Sequence, residues 1–193
     1  MLRPVARSIT WLPLAVAAAL SAIIVGWPST KAGTSLLQVI AIILSGAVGF
    51  AFDDPTAAIM AASPTSLLRR RLLRLVLVLP PVAVLWGLLL WAEGTEGPEE
   101  TWALLALFAG LIGLSIGVAG VACRRSSRGV GGLFVAPSIL VLLLLSTVVP
   151  PRWRPLPLGD VPGGWLQIYL RWSSAAVVGA IIFLASSRDP ASR

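Results

Sequence analysis

The sequence contains no histidine, and it has one cysteine, one lysine and one tyrosine among 193 residues. Histidine is the commonest acid–base group near neutral pH and the commonest metal ligand. Its absence excludes histidine-dependent phosphatases, rhomboid-like proteases and histidine-ligated metalloenzymes. The single Cys123 excludes a disulfide within the chain and any metal site built from several cysteines. The single Lys31 is not part of a phosphate-binding loop. We therefore expect no enzyme activity and no bound cofactor in this chain.

Charged residues are also scarce, at 12%, whereas hydrophobic residues make up 57% and the mean hydropathy is +0.91. Soluble domains carry roughly 25% charged residues, and a water-soluble fold of this length cannot bury so much apolar surface. Polar stretches stay below roughly 20 residues, which is too short for a separate soluble domain. The composition predicts one all-α integral membrane domain over residues 1–193.

Six apolar runs approach the roughly 20 residues that a helix needs to cross the hydrocarbon core. They cover about Ser8–Trp27, Ser35–Phe52, Leu72–Ala92, Thr101–Cys123, Val130–Val149 and Leu166–Ser186. Pro80, Pro81 and Pro137 lie inside the third and fifth runs, where a missing backbone donor predicts a kink or break. Gly113 and Gly117 in the fourth run predict close helix packing within the bundle. The fold expected is a bundle of six transmembrane helices.

The loops between these runs differ in charge. Eleven basic residues fall on the side of both termini and four on the other side, together with the acidic loop Glu93–Glu100. Basic residues mark cytoplasmic loops, so both termini are predicted to be cytoplasmic. We attribute the net charge of +7 to this topology and not to nucleic-acid binding. The excess of Arg, Ala, Leu, Val, Gly and Pro is typical of a GC-rich bacterial genome, so the predicted location is a bacterial plasma membrane.

The loop between spans two and three, Asp53–Arg71, is predicted to contain a short cytoplasmic helix. Asp54 is a good N-cap and Pro55 suits the first helical position. Ser63 precedes Pro64, which ends this helix and repeats the cap-and-proline pattern for a second helix that runs into span three.

Ile59 and Met60 would be presented by this short helix. A helix of about two turns is not stable alone in water, so it needs a surface to dock against. One interpretation is a docking element for a cytoplasmic partner. The other is a connector on the lipid headgroups, with Arg69–Arg74 as a topology anchor.

The six spans, the cytoplasmic termini and this loop resemble the membrane subunit of an ATP-binding-cassette exporter of the type-2 permease family, in particular small actinobacterial permeases. The resemblance implies a coupling helix that contacts a separate ATPase, which holds ATP and Mg²⁺. It also implies a second permease subunit, in a homo- or heterodimer, and a hydrophobic or amphipathic substrate. The segment Met1–Arg7 is shorter than the elbow helix usual in the family. The residues implied to contact the ATPase are Asp53, Asp54, Pro55, Ile59, Met60, Ser63, Pro64 and Arg69.

Ionisable residues inside spans mark functional sites, and few occur here. Arg74 and Arg171 lie a turn or two inside their spans and are expected to extend toward the headgroups. For Arg171 the alternative is contact with an anionic substrate or an outer glutamate. Arg171 and Trp86 are the candidate residues of a substrate path.

Two other functions stay open. One is the substrate-binding subunit of an energy-coupling-factor vitamin importer, whose partner contacts an Ala-x-x-x-Ala face that Ala15 and Ala19 match. The other is a membrane scaffold protein without transport. A metal site at Asp53 and Asp54, as in CDP-alcohol phosphotransferases, is disfavoured because the next aspartate is Asp160.

Overall fold

The structure is a computed structural model that describes residues 9–26, 34–53, 67–95, 97–125, 131–150, 154, 156 and 164–187. These residues form six α-helices and no strand, which confirms the predicted all-α fold. Each helix coincides with one apolar run. The helices are α1 Trp11–Val25, α2 Thr34–Phe50, α3 Leu67–Glu93, α4 Pro98–Arg125, α5 Gly132–Val148 and α6 Gly164–Ser186.

Three of these helices, α3, α4 and α6, are long and apolar enough to cross a membrane. They contain 27, 28 and 23 residues. The apolar helices α1, α2 and α5 have 15, 17 and 17 residues. A 17-residue helix rises about 26 Å, slightly less than the roughly 30 Å of the hydrocarbon core. Length and composition therefore support three spans within the described ranges, and six spans stay a prediction.

Successive helices run in opposite directions. The Thr10 hydroxyl, just before α1, donates to the Phe50 carbonyl at the end of α2 over 2.8 Å, so α1 and α2 are antiparallel. The Thr34 hydroxyl at the start of α2 donates to Glu100 at the start of α4 over 2.6 Å. The starts of α2 and α4 therefore lie at the same end of the bundle.

Helix α4 occupies the centre of the bundle. Of its most apolar window, 67% is buried, compared with 33% for α3 and 22% for α6. Trp86 of α3 stacks on Phe108 of α4, with ring centroids 4.6 Å apart and planes at 20°. A helix such as α4, which contacts aromatic side chains on one neighbour and small residues on another, is typically surrounded by other helices.

Small residues bring α4 and α6 together. Gly110 faces Trp172, and Gly113 lies so close to Ala176 that a Cβ on Gly113 would be 3.0 Å from the Ala176 Cα. A Cβ on Gly179 would overlap the backbone of Gly113. Residue numbers rise together along both helices, so α4 and α6 are parallel. The prediction that the glycines of span four serve packing inside the bundle is confirmed.

The prolines interrupt neither helix. Helix α3 continues through Pro80 and Pro81, and α5 continues through Pro137, so of the predicted kink or break the break does not occur. All three prolines are exposed on the outside of the bundle. Their rings therefore project away from neighbouring helices, and the remaining backbone hydrogen bonds keep each helix continuous.

Large apolar side chains cover the outer surface. Trp91 is 82% exposed, Val148 81%, Leu12 75% and Leu166 70%. Soluble monomers rarely expose continuous apolar patches of this kind. The surface is compatible with a membrane-embedded protein whose outer side chains contact lipid.

Candidate functional site

The two ends of the bundle carry opposite charges. One end, which we call the basic end, contains the last residues of α2, α4 and α6 and the first residues of α3 and α5. Glu93, Glu99 and Glu100 lie at the other end, which we call the acidic end. Among the described residues, Asp53 is the one acidic side chain at the basic end. The arginines of the basic end are Arg69, Arg70, Arg71, Arg74, Arg124 and Arg125.

Asp53 follows the end of α2 and binds the start of α5. One carboxylate oxygen, Oδ1, accepts hydrogen bonds from the backbone N–H groups of Gly131 and Gly132, both over 2.6 Å. The first N–H groups of a helix have no partner within the helix, and a carboxylate there also complements the helix dipole. Asp53, predicted as an ATPase contact, therefore holds two helices together in the bundle.

Arg74 lies inside the basic end and not at the surface. Its side chain is 6% exposed, and Nη1 donates to the carbonyl groups of Phe52 and Asp53 over 3.4 and 3.3 Å. The expectation that Arg74 extends outward to the headgroups is wrong. The last carbonyl groups of a helix need partners, and the guanidinium supplies donors at the end of α2.

Arg71 joins three helices. It is 7% exposed, and Nη1 donates to the Ser186 carbonyl over 3.1 Å and to the Ser187 hydroxyl over 3.0 Å. Nη2 donates to the Gly120 carbonyl of α4 over 3.2 Å. The planar guanidinium fork can serve acceptors in two directions at once. Arg71 thereby connects the start of α3 to the ends of α4 and α6.

The roles of Arg71 and Arg74 were not predicted from the sequence, although a signal was present. Residues three apart share one face of a helix, and these two lie at the start of the apolar run that begins at Leu72. Arg69, two positions before Arg71, points to a different side and is exposed. The spacing therefore distinguishes two inward arginines from a simple charge cluster.

Most of the predicted ATPase-contact residues fall on 54–66, outside the described residues. The candidate substrate path consists of Trp86 and Arg171, which lie in different environments. Trp86 is 1% exposed in the core, whereas Arg171 is on the exposed surface of α6. Arg69 lies in the first turn of α3, which begins at Leu67. The predicted contact residues outside the described ranges are Asp54, Pro55, Ile59, Met60, Ser63 and Pro64.

Three polar side chains inside the bundle have no hydrogen-bond partner among the described residues. They are the Gln38 amide on α2, the Trp86 Nε1 on α3 and the Ser115 hydroxyl on α4. Leaving a buried polar group without a partner costs about 1–3 kcal/mol. Within the described ranges, no three His, Cys, Asp or Glu residues meet in a metal-binding geometry.

Residues on both sides of segment 54–66 are hydrogen-bonded at the basic end. Asp53 precedes this segment and is bonded to α5, and Arg71 and Arg74 follow it and are bonded to α2, α4 and α6. Comparisons of the chain with family models, curated proteins and solved structures found no match.

Proposed function

We propose that the chain is the permease subunit of an ATP-binding-cassette exporter in a bacterial plasma membrane. It crosses the membrane six times, with the basic end and both termini in the cytoplasm. One observation supports this proposal above the others: residues on both sides of segment 54–66 are joined by buried or partly buried hydrogen bonds to α2, α4, α5 and α6. A coupling helix needs such links to move a bundle.

In this proposal the segment 54–66 receives force from an ATPase and the bundle responds. The carboxylate of Asp53 passes movement to the start of α5, because both bonds to Gly131 and Gly132 are short. The guanidinium of Arg71 passes movement to the ends of α4 and α6. Ile59 and Met60 supply the apolar contact with the ATPase, so binding and transmission use different residues.

The proposal implies the following partners and substrate. The ATPase holds ATP and Mg²⁺, and the chain itself is neither an enzyme nor a cofactor-binding protein. A second permease subunit, identical or related, completes the transporter. The exported substrate is hydrophobic or amphipathic, in keeping with the apolar side chains of the bundle.

Co-purification with the cell's ATPases tests the proposal. The double variant Ile59→Ser and Met60→Ser is expected to lose the ATPase. The control Leu12→Ser removes an apolar side chain that is 75% exposed on α1, and it is expected to keep the ATPase. An ATPase that stays bound to the double variant would refute the coupling-helix assignment.

Cysteine labelling in whole cells tests the orientation. In a Cys123→Ser background, Glu99→Cys and Arg125→Cys place one thiol at each end of α4, and both positions are exposed. A membrane-impermeant reagent is expected to label the Glu99→Cys variant alone. Labelling of Arg125→Cys from outside would reverse the proposed topology.

The vitamin-importer alternative has one supporting observation. Ala15 and Ala19 both lie on the exposed side of α1, where a partner helix has access to them. A vitamin that stays bound to the purified chain, without any ATPase, would favour this alternative over the exporter.

A further inference from the structure

A cleft of about 490 Å³ lies at the acidic end, between the first turns of α4 and α6. Glu99 and Trp102 line it from α4, and Trp165, Leu166 and Tyr169 line it from α6. Its volume is within the roughly 300–1,000 Å³ of typical small-molecule sites. The cleft opens to the surface, because Trp102 is 62% and Tyr169 40% exposed.

The lining combines aromatic rings with a carboxylate. The faces of tryptophan and tyrosine rings attract cations, and quaternary ammonium groups bind in cages of such rings. Trp102, Trp165 and Tyr169 supply three rings from two helices, and Glu99 supplies a negative charge. Leu166 adds an apolar contact for an alkyl or aryl group.

The described charged residues near the cleft do not oppose this preference. Glu100 is 5% exposed and accepts the Thr34 hydroxyl, so its carboxylate faces inward, away from the cleft. Glu99 and Glu100 both lie in the first turn of α4, where carboxylates offset the positive end of the helix dipole. Arg171 follows Tyr169 by two positions, which places it about 200° around the helix, and it does not line the cleft.

We propose that this cleft binds organic cations that carry a quaternary ammonium group. The ammonium lies against Trp102, Trp165 and Tyr169 with Glu99 as its counter-ion. Binding at this site needs neither an ATPase nor transport, so it stands apart from the exporter proposal.

An exposed tryptophan at the same end provides an internal comparison. Trp91, at the end of α3, is 82% exposed and does not line the cleft. Aromatic residues at a membrane interface all contact headgroups. Only tryptophans in one binding site show a signal change that saturates with ligand and has the same midpoint concentration.

Fluorine NMR of the fluorotryptophan-labelled chain in lipid nanodiscs tests the site, with choline as the probe. The resonances are assigned with Trp102→Phe, Trp165→Phe and Trp91→Phe. Choline is expected to shift the Trp102 and Trp165 resonances with one midpoint and to leave Trp91 unchanged. An equal shift of all three resonances would mean general adsorption at the interface and would overturn the proposal.

Two controls test the role of charge. The uncharged analogue of choline, in which carbon replaces nitrogen, is expected to bind about tenfold more weakly, because it loses the cation–π and carboxylate attraction. Glu99→Gln is expected to weaken choline binding by about tenfold, whereas Glu93→Gln, a carboxylate at the same end but outside the cleft, leaves it unchanged. Equal binding of the analogue, or an unaltered midpoint in Glu99→Gln, contradicts the proposed site.

Discussion

Gly179→Ala is the sharpest test of how α4 and α6 hold the bundle together. The substitution adds one methyl group to a buried position on α6. A Cβ there overlaps the Gly113 carbonyl group, and it lies 2.8 Å from the Gly113 Cα. The obstacle is backbone in the middle of a helix, so no side-chain rotation relieves the clash. The helices must move apart.

The cost follows from this geometry. Overpacking of a well-packed interior typically costs about 1–3 kcal/mol, and a clash with backbone belongs in the upper part of that range. Gly87→Ala is the matched control, because Gly87 lies in α3 with nothing within 4 Å of an added Cβ. Alanine there gains about 1 kcal/mol from helix propensity. Alanine gains the same helix propensity at Gly179, so the two variants are expected to differ in free energy of unfolding by the cost of the clash, about 2–3 kcal/mol.

The assay is reversible unfolding in mixed micelles by rising fractions of sodium dodecyl sulfate, followed by far-ultraviolet circular dichroism. Gly179→Ala should unfold at a clearly lower detergent fraction than the wild type, and Gly87→Ala at an equal or higher one. If the two alanine variants unfold together, the close approach of α4 and α6 is not what stabilises this bundle.

The same assay tests three polar side chains of the bundle. Arg71→Lys is expected to lower the free energy of unfolding by about 1–3 kcal/mol, because one ammonium cannot reach both Gly120 and α6. The control Arg69→Lys, at an exposed position, is expected to change it by no more than about 0.5 kcal/mol. Equal effects of the two variants would contradict the role of the guanidinium fork. Asp53→Ala is expected to cost about 1–2 kcal/mol as a lost cap and Asp53→Asn clearly less, so identical losses would argue against capping of α5. Gln38→Met is expected to gain about 1–3 kcal/mol by removing an unpaired buried amide, and a loss of stability would show that the amide has a partner.

Helix positions were predictable because apolar runs set them. The sequence places the start of span three at Leu72, whereas α3 begins at Leu67. The difference concerns only the apolar run, because a helix that starts near Ser63 and Pro64 was predicted to run into span three. Arg71 and Arg74 are buried and hydrogen-bonded, so the helix extends over them. A local hydropathy pattern treats arginine as a boundary and does not register its long-range partners.

The basic end was less predictable because its contacts are distant in sequence. Asp53 binds Gly131 and Gly132, which lie 78 and 79 positions away. Arg71 and Ser186 are separated by 115 positions. The capping aspartate that the sequence indicated is Asp54, which lies outside the described residues, and the capping of α5 by Asp53 was not predicted. Only the arrangement of the helices reveals that partner.

Polar bonds and small residues hold α2 against α5 and α4 against α6, and α2 also packs on α4. Asp53 ties the end of α2 to the start of α5, and a Cβ on Gly49 would lie 2.7 Å from Val135, so α2 and α5 pack tightly. Arg71 and the glycine contacts tie α4 to α6 in the same way. The unpaired Gln38 belongs to α2 and the unpaired Ser115 to α4. Buried polar groups without partners mark less favourable packing, and these two belong to helices that the Thr34–Glu100 hydrogen bond joins. The close approach of the α4 and α6 backbones, in contrast, fixes the distance between the two walls of the cleft.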